Sequence, residues 1–61
     1  MVGFRTKNSI YYIDSVSKTC WGGKFKNKQS YLYVQAIIGE KAIIKLADGR
    51  VIQTSKVIDY V

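Results

Sequence analysis

The segment KAIIKLADGRVIQ, residues 41–53, decides the fold. Apolar and polar residues alternate through Lys41–Leu46 with the period of a half-buried β-strand. Its apolar face carries Ala42, Ile44 and Leu46, and its other face carries Lys41, Ile43 and Lys45. Asp48-Gly49 is a dipeptide that favours a tight type I′ turn. The sequence therefore predicts a β-hairpin in which Arg50–Gln53 returns antiparallel to the first strand.

The residues on either side of this hairpin extend the prediction. Gly39-Glu40 predicts the turn that precedes it. Thr54-Ser55-Lys56 predicts one tight helical turn, in which the hydroxyl of Thr54 or Ser55 bonds back to the main chain. A closing strand, Val57–Tyr60, follows.

Three further strands are predicted nearer the N-terminus. Ser9–Val16 alternates after a turn at Lys7-Asn8, and Val2–Thr6 pairs across that turn. Tyr31–Ile38 is the other strand. Its aliphatic side, which we assign to the core, consists of Leu32, Val34, Ala36 and Ile38. This assignment directs the rings of Tyr31 and Tyr33 outward.

Composition supports one small β domain spanning residues 1–61. The 61 residues are 48% hydrophobic and 23% charged, and they contain no proline, linker or repeat. Isoleucine, valine, tyrosine and threonine, which favour strands, are abundant. Phe4, Tyr11 and Tyr60 are expected in the core. We expect five or six antiparallel strands in all.

This order of elements resembles that of small SH3-like barrels, with one short helical turn before the last strand. A partly open OB-like barrel is the alternative. The runs Thr6-Lys7-Asn8-Ser9-Ile10-Tyr11, Gly22-Gly23-Lys24-Phe25, Asp48-Gly49 and Thr54-Ser55-Lys56-Val57 resemble small β-rich proteins of phages and mobile elements of Gram-positive bacteria. Those proteins mostly lack assigned functions.

The segment from Ser15 to Gly39 combines lysines and aromatic rings and contains no acidic residue. Such a surface attracts polyanions and offers rings on which bases stack. The candidate residues for binding nucleic acid or a partner are Lys18, Trp21, Lys24, Lys26, Lys28, Tyr31 and Tyr33. In an extended segment Lys24, Lys26 and Lys28 would point one way and Phe25 the other. The alternatives are that the net charge of +6 serves solubility, and that the rings are core residues.

Catalysis is not expected from this sequence. There is no histidine to act as a general base, and the four acidic residues are dispersed along the chain. Cys20 is the only cysteine; it fits a small apolar core position better than a reactive thiol, and one thiol makes no zinc site. Gly22-Gly23 predicts a turn or bulge and not a P-loop, with the approach of its backbone N–H groups to a phosphate as the alternative. No cofactor or metal is expected.

Three binding functions remain open. The first is a nucleic-acid-binding module, for DNA or RNA, with little sequence specificity. The second is a phage-type inhibitor or adaptor that binds an acidic surface of a host protein. The third is a structural module that forms a homodimer by pairing strand edges. A lone cysteine and the lack of a long apolar run lead us to expect a cytoplasmic protein with no membrane segment.

Overall fold

The computed structural model describes residues 2–61, which form six antiparallel strands and no helix. In chain order these are β1 (Val2–Thr6), β2 (Ile10–Asp14), β3 (Thr19–Gly22), β4 (Phe25–Gln35), β5 (Lys41–Leu46) and β6 (Val51–Tyr60). Each strand pairs with the next, and β1 pairs with β6, so the pairings close into a barrel. The predicted all-β class and small SH3-like barrel are confirmed.

Two long strands, β4 and β6, pair with different neighbours along their length. β4 pairs with β3 as far as Ser30 and with β5 from Tyr31. β6 pairs with β5 as far as Lys56 and with β1 from Val57. The barrel therefore has a first sheet, made of β1, β2, β3 and the adjoining halves of β4 and β6. The second sheet consists of β5 and the other two halves.

The inward faces of the strands enclose one apolar core. Its buried members are Phe4, Tyr11, Ile13, Cys20, Tyr31, Ala42, Ile44, Leu46 and Val57. The rings of Phe4 and Tyr11 stack with their centroids 5.1 Å apart, and Phe25 meets Tyr11 edge-on. Gly23 lies so close to the Tyr11 ring that a Cβ at this position would overlap it. The core positions predicted for Phe4, Tyr11 and the apolar face of β5 are confirmed.

The hairpin between β5 and β6 is present, but its turn is not type I′. The Gly49 N–H donates to the Leu46 carbonyl, and the Leu46 N–H donates to the Arg50 carbonyl. Gly49 has a φ of 96°, whereas Asp48 has no positive φ, as type I′ would require. The loop is a three-residue turn that ends on a left-handed glycine. The Asp48 carboxylate favours it by accepting the Arg50 N–H at 3.0 Å.

A bulge in β4 overturns part of the predicted alternation. Tyr31 pairs with Leu46 and Tyr33 with Lys45, so β4 advances two residues while β5 advances one. The side chains of Leu32 and Tyr33 consequently both face outward. Tyr31 is only 7% exposed and Leu32 is 62% exposed, so the prediction that placed Leu32 in the core and Tyr31 outside was wrong. Beyond the bulge Val34 and Ala36 pack against the core, as predicted. Ile38 was also assigned to the core, but it is 52% exposed, because β4 ends at Gln35 and the predicted strand does not continue to Ile38.

The predicted strand ends also shift where side chains bond to the main chain. β2 stops at Asp14 instead of Val16, because the Asp14 carboxylate accepts the N–H groups of Val16 and Ser17 and starts a turn. Tyr60 was predicted in the core but is 57% exposed. It ends β6 at the rim of the barrel, where its hydroxyl donates to the Ala36 carbonyl.

The predicted helical turn at Thr54-Ser55-Lys56 is wrong, because these residues belong to β6. The predicted hydroxyl bond to the main chain does form. The buried Thr54 Oγ1 accepts the Ala42 N–H at 3.1 Å and donates to the Ser55 carbonyl at 2.8 Å. It does so where the pairing of β5 and β6 shifts register, between Lys41 and Ile43. The hydroxyl thus completes the ladder where a backbone partner is missing.

We expect Thr54→Val to lower the free energy of unfolding by about 1–3 kcal/mol, because it leaves the buried Ala42 N–H without an acceptor. Urea denaturation followed by circular dichroism measures the change. Ser55→Ala, at an exposed neighbouring position, is the control and should change stability by less than about 0.5 kcal/mol. A Thr54→Val variant as stable as the parent would contradict the assigned role of the hydroxyl.

Candidate nucleic-acid interface

The indole of Trp21 lies on the outer face of the first sheet between two neighbours. Tyr12 on β2 is its cross-strand partner, and the two rings stack with centroids 5.8 Å apart and planes 21° apart. From β4, on the other side of β3, the Lys28 Nζ lies 4.7 Å from the centre of the indole. Trp21 is half-buried and Lys28 is exposed. An ammonium group and two aromatic rings therefore form one row across three strands.

A second irregularity in β4 lies opposite Trp21. β3 passes from Cys20 to Gly22 in two steps, while β4 takes four steps from Phe25 to Gln29 to cover the same pairing. The intervening residues, Lys26, Asn27 and Lys28, are all exposed. Bulges of this kind redirect side chains next to functional sites. Phe25 packs against the core, on the side away from the lysines, as the alternation predicted. Asn27 lies two residues further along β4, and regular alternation would turn it to the same side, but it is exposed.

Lys18 lies at the far end of β3 from Lys26. It occupies the turn before β3 with a φ of 57° and is exposed. Its Nζ lies 5.9 Å from the centre of the Tyr31 ring, and its carbonyl accepts the Tyr31 N–H. Tyr31 is a core residue and is unavailable for stacking. The Lys18 ammonium thus lies at the far end of β3 beside a core ring, with no contact to Trp21 among the described residues, and Tyr31 does not belong to the site.

Lys24 and Tyr33 are directed away from Trp21. The Lys24 Nζ donates to the Gln53 carbonyl on β6 at 3.0 Å. Tyr33 lies on the outer face of the second sheet, opposite Lys45, and its hydroxyl bonds to the Gln35 side chain. The structure therefore places Lys28 on Trp21 and Lys26 in the same exposed bulge. It places Lys18 at the far end of β3 beside Tyr31, and it directs Lys24 and Tyr33 to β6 and to the second sheet.

The ion pairs leave the lysines unneutralised. Arg5 pairs with Asp59 at 2.7 Å and Arg50 pairs with Asp48 at 2.8 Å, and within residues 2–61 no lysine pairs with a carboxylate. Hydrogen bonds from the Val16 and Ser17 N–H groups lower the pKa of Asp14, so this carboxylate stays charged while it holds a turn. The positive potential of the surface therefore comes from lysines.

Tyr12 is the site residue that the sequence analysis missed. It alternates with the core residues Tyr11 and Ile13, so its outward direction follows from the pattern. Its position beside Trp21 depends on the register between β2 and β3. The geometry of the four-residue turn between the two strands sets that register, and the sequence pattern alone does not predict it.

Cys20 is a core residue beneath this face. Burial raises the pKa of its thiol, which keeps it in the protonated and unreactive form. The structural interpretation of Cys20 as an apolar filler is supported. In the described part of the chain no three side chains of histidine, cysteine, aspartate or glutamate come together as metal ligands.

We expect the Cys20 thiol to react with Ellman's reagent only as fast as the barrel opens. The native protein should react at least about tenfold more slowly than the same protein in denaturing urea, where the thiol is solvated. Absorbance of the released thiolate measures both rates. Equal rates in the two conditions would show that Cys20 is accessible in the native barrel.

The comparisons with known proteins give no relatives. No family model, no curated protein and no solved structure matches the chain. The resemblance to phage and mobile-element proteins therefore stays a prediction. Within residues 2–61 no helix has the length and hydropathy needed to span a membrane.

Proposed function

We propose that this chain is a non-catalytic module that binds nucleic acid through the outer face of the first sheet. The binding residues would be Lys26 and Lys28 in the bulge of β4, Trp21 and Tyr12 beside them, and Lys18 at the end of β3. Lysines would neutralise phosphates, and rings would contact bases. The observation that carries the proposal is the ammonium of Lys28 held 4.7 Å from the centre of a partly exposed indole.

The contact between Lys28 and Trp21 is compatible with base stacking. A cation above an exposed ring contributes about 0.5–1 kcal/mol. A base stacked on an aromatic side chain contributes about 1–3 kcal/mol. A base that replaces the Lys28 ammonium on the indole would therefore gain more than the protein loses. The displaced ammonium would stay within reach of the adjoining phosphate.

Low sequence specificity follows from the types of side chain. Lysine acts as a point charge and lacks the two-pronged geometry with which arginine selects guanine. Both arginines of the chain are bound to aspartates. Affinity should therefore depend on the number of phosphates contacted, and it should fall steeply with salt.

The test replaces two lysines on each sheet. Lys26→Gln with Lys28→Gln removes two charges from the proposed face. Lys41→Gln with Lys56→Gln removes two charges from the second sheet, where these exposed residues are cross-strand partners. Fluorescence anisotropy with a labelled 20-nucleotide oligothymidylate gives affinity at several salt concentrations. A plot of log K against log salt has a negative slope. We expect the Lys26 and Lys28 variant to reduce the magnitude of this slope by about 0.7 per lysine, and the Lys41 and Lys56 variant to leave it nearly unchanged.

Two results would contradict the proposal. Equal losses in both double variants would show that binding follows net charge and has no defined face. Unchanged binding in the Lys26 and Lys28 variant would remove the bulge from the site. The emission of Trp21, the only tryptophan, reports independently whether the bound oligonucleotide reaches the indole.

A further inference from the structure

The first half of β6 has a strand neighbour on one side only. β5 pairs with it through Ile43–Lys45 opposite Val51–Gln53, while β1 pairs only with residues from Val57 onward. In the described chain no other strand lies along residues 51–56. Although the ring of pairings is closed, this half of β6 is an open strand edge.

The main-chain groups of Gln53 point out of that edge. Arg50 and Leu46 are opposite each other, and the Arg50 carbonyl accepts the Leu46 N–H. Ile52 and Ile44, two residues further along, therefore form the next hydrogen-bonded pair. Because antiparallel pairs alternate, the N–H and C=O groups of Val51 and Gln53 face away from β5. The Lys24 ammonium bound to the Gln53 carbonyl confirms this direction.

Lys24 covers the open edge without pairing it. Its Nζ occupies one acceptor, and among residues 2–61 no backbone group outside β5 bonds to Val51 or Gln53. The edge is accessible, since Val51 is 61% exposed and Gln53 and Ser55 are also exposed. Lysine at a strand edge blocks indiscriminate pairing, and its long flexible stem lets it move aside.

We propose that an extended acidic segment of a partner protein binds here as a seventh strand beside β6. Main-chain hydrogen bonds to Val51 and Gln53 would supply affinity, as in other cases of strand addition. The charge of the partner follows from the lysines that flank the edge, Lys24 at its middle and Lys56 at its end. A carboxylate would take the Lys24 ammonium when the added strand replaces it on the Gln53 carbonyl.

The same charges disfavour a second copy as the occupant. Each chain carries a net charge of +6, so edge-to-edge pairing would bring two sets of lysines together. The surface differs from the proposed nucleic-acid face, because it uses the backbone of β6 and not the outer side chains of Trp21 and Lys28.

The probe is a fluorescein-labelled decapeptide of alternating valine and glutamate, titrated into the full chain. We expect saturable 1:1 binding, and amide hydrogen exchange at Val51 and Gln53 should slow at least about tenfold. The control peptide has the same sequence but is methylated at every peptide nitrogen, so it keeps its charges and loses its strand-pairing donors. We expect it to bind at least about tenfold more weakly.

A variant of the protein tests the same edge. Gln53→Pro removes the outward N–H and takes no hydrogen bond from the pairing with β5, which makes proline tolerable here. We expect it to weaken binding of the valine–glutamate peptide and to leave oligothymidylate binding unchanged. Gln53→Ala, which keeps the N–H, should bind the peptide like the parent. If the proline variant does not fold, the two peptides still decide the question with the parent protein.

Four outcomes would overturn the inference. Equal affinity for both peptides would mean that charge alone drives binding, and absence of saturable binding would mean that the edge takes no such strand. Protection of Val51 and Gln53 in a dimer seen by light scattering would make a second copy the occupant. Protection by oligothymidylate in place of the peptide would assign the edge to nucleic acid.

Discussion

The structure depends on the pairing of β4 and β6 with two different neighbours each. In this chain of 61 residues the two longest of the six strands serve both sheets, and this encloses the core. Each change of neighbour shifts the ladder: β4 bulges beside Tyr31, and Thr54 replaces a missing backbone partner in β6. The same geometry leaves half of β6 with a single strand neighbour.

Both proposed surfaces lie where the ladder of a long strand is irregular or unpaired. In the first sheet, the excess residues of β4 opposite Trp21 leave Lys26 and Lys28 exposed in one bulge. In the second sheet, the change of neighbour in β6 exposes the backbone at Gln53, and the hairpin of β3 and β4 supplies Lys24 to cover it. Closing a small barrel with long strands thus creates irregular positions where side chains and main-chain groups are free to bind.

The sequence predicted what local alternation controls. The buried face of β5, the hairpin at Asp48-Gly49 and the all-β class follow from a two-residue period and turn residues, whereas the SH3-like barrel was expected from the resemblance of the element order. It failed where a bulge breaks the period, as at Tyr31 and Leu32, because one extra residue puts the strand before the bulge out of phase with the strand after it. After the bulge, Val34 and Ala36 keep the predicted direction. The stacking of Tyr12 on Trp21 could not be predicted either, since it depends on the register between β2 and β3.

Local arrangement, more than net charge, distinguishes a binding face from a merely soluble surface. Solubility is served equally well by lysines dispersed among carboxylates, whose weak surface pairs contribute at most about 1 kcal/mol each. Here the arginines take two of the four acids, and Asp14 is engaged in a turn. Two lysines of the described chain then remain unpaired in one bulge, and one of them, Lys28, lies over an indole. Such a cluster differs from a dispersed charge because one anionic group could contact a lysine and the neighbouring ring at once.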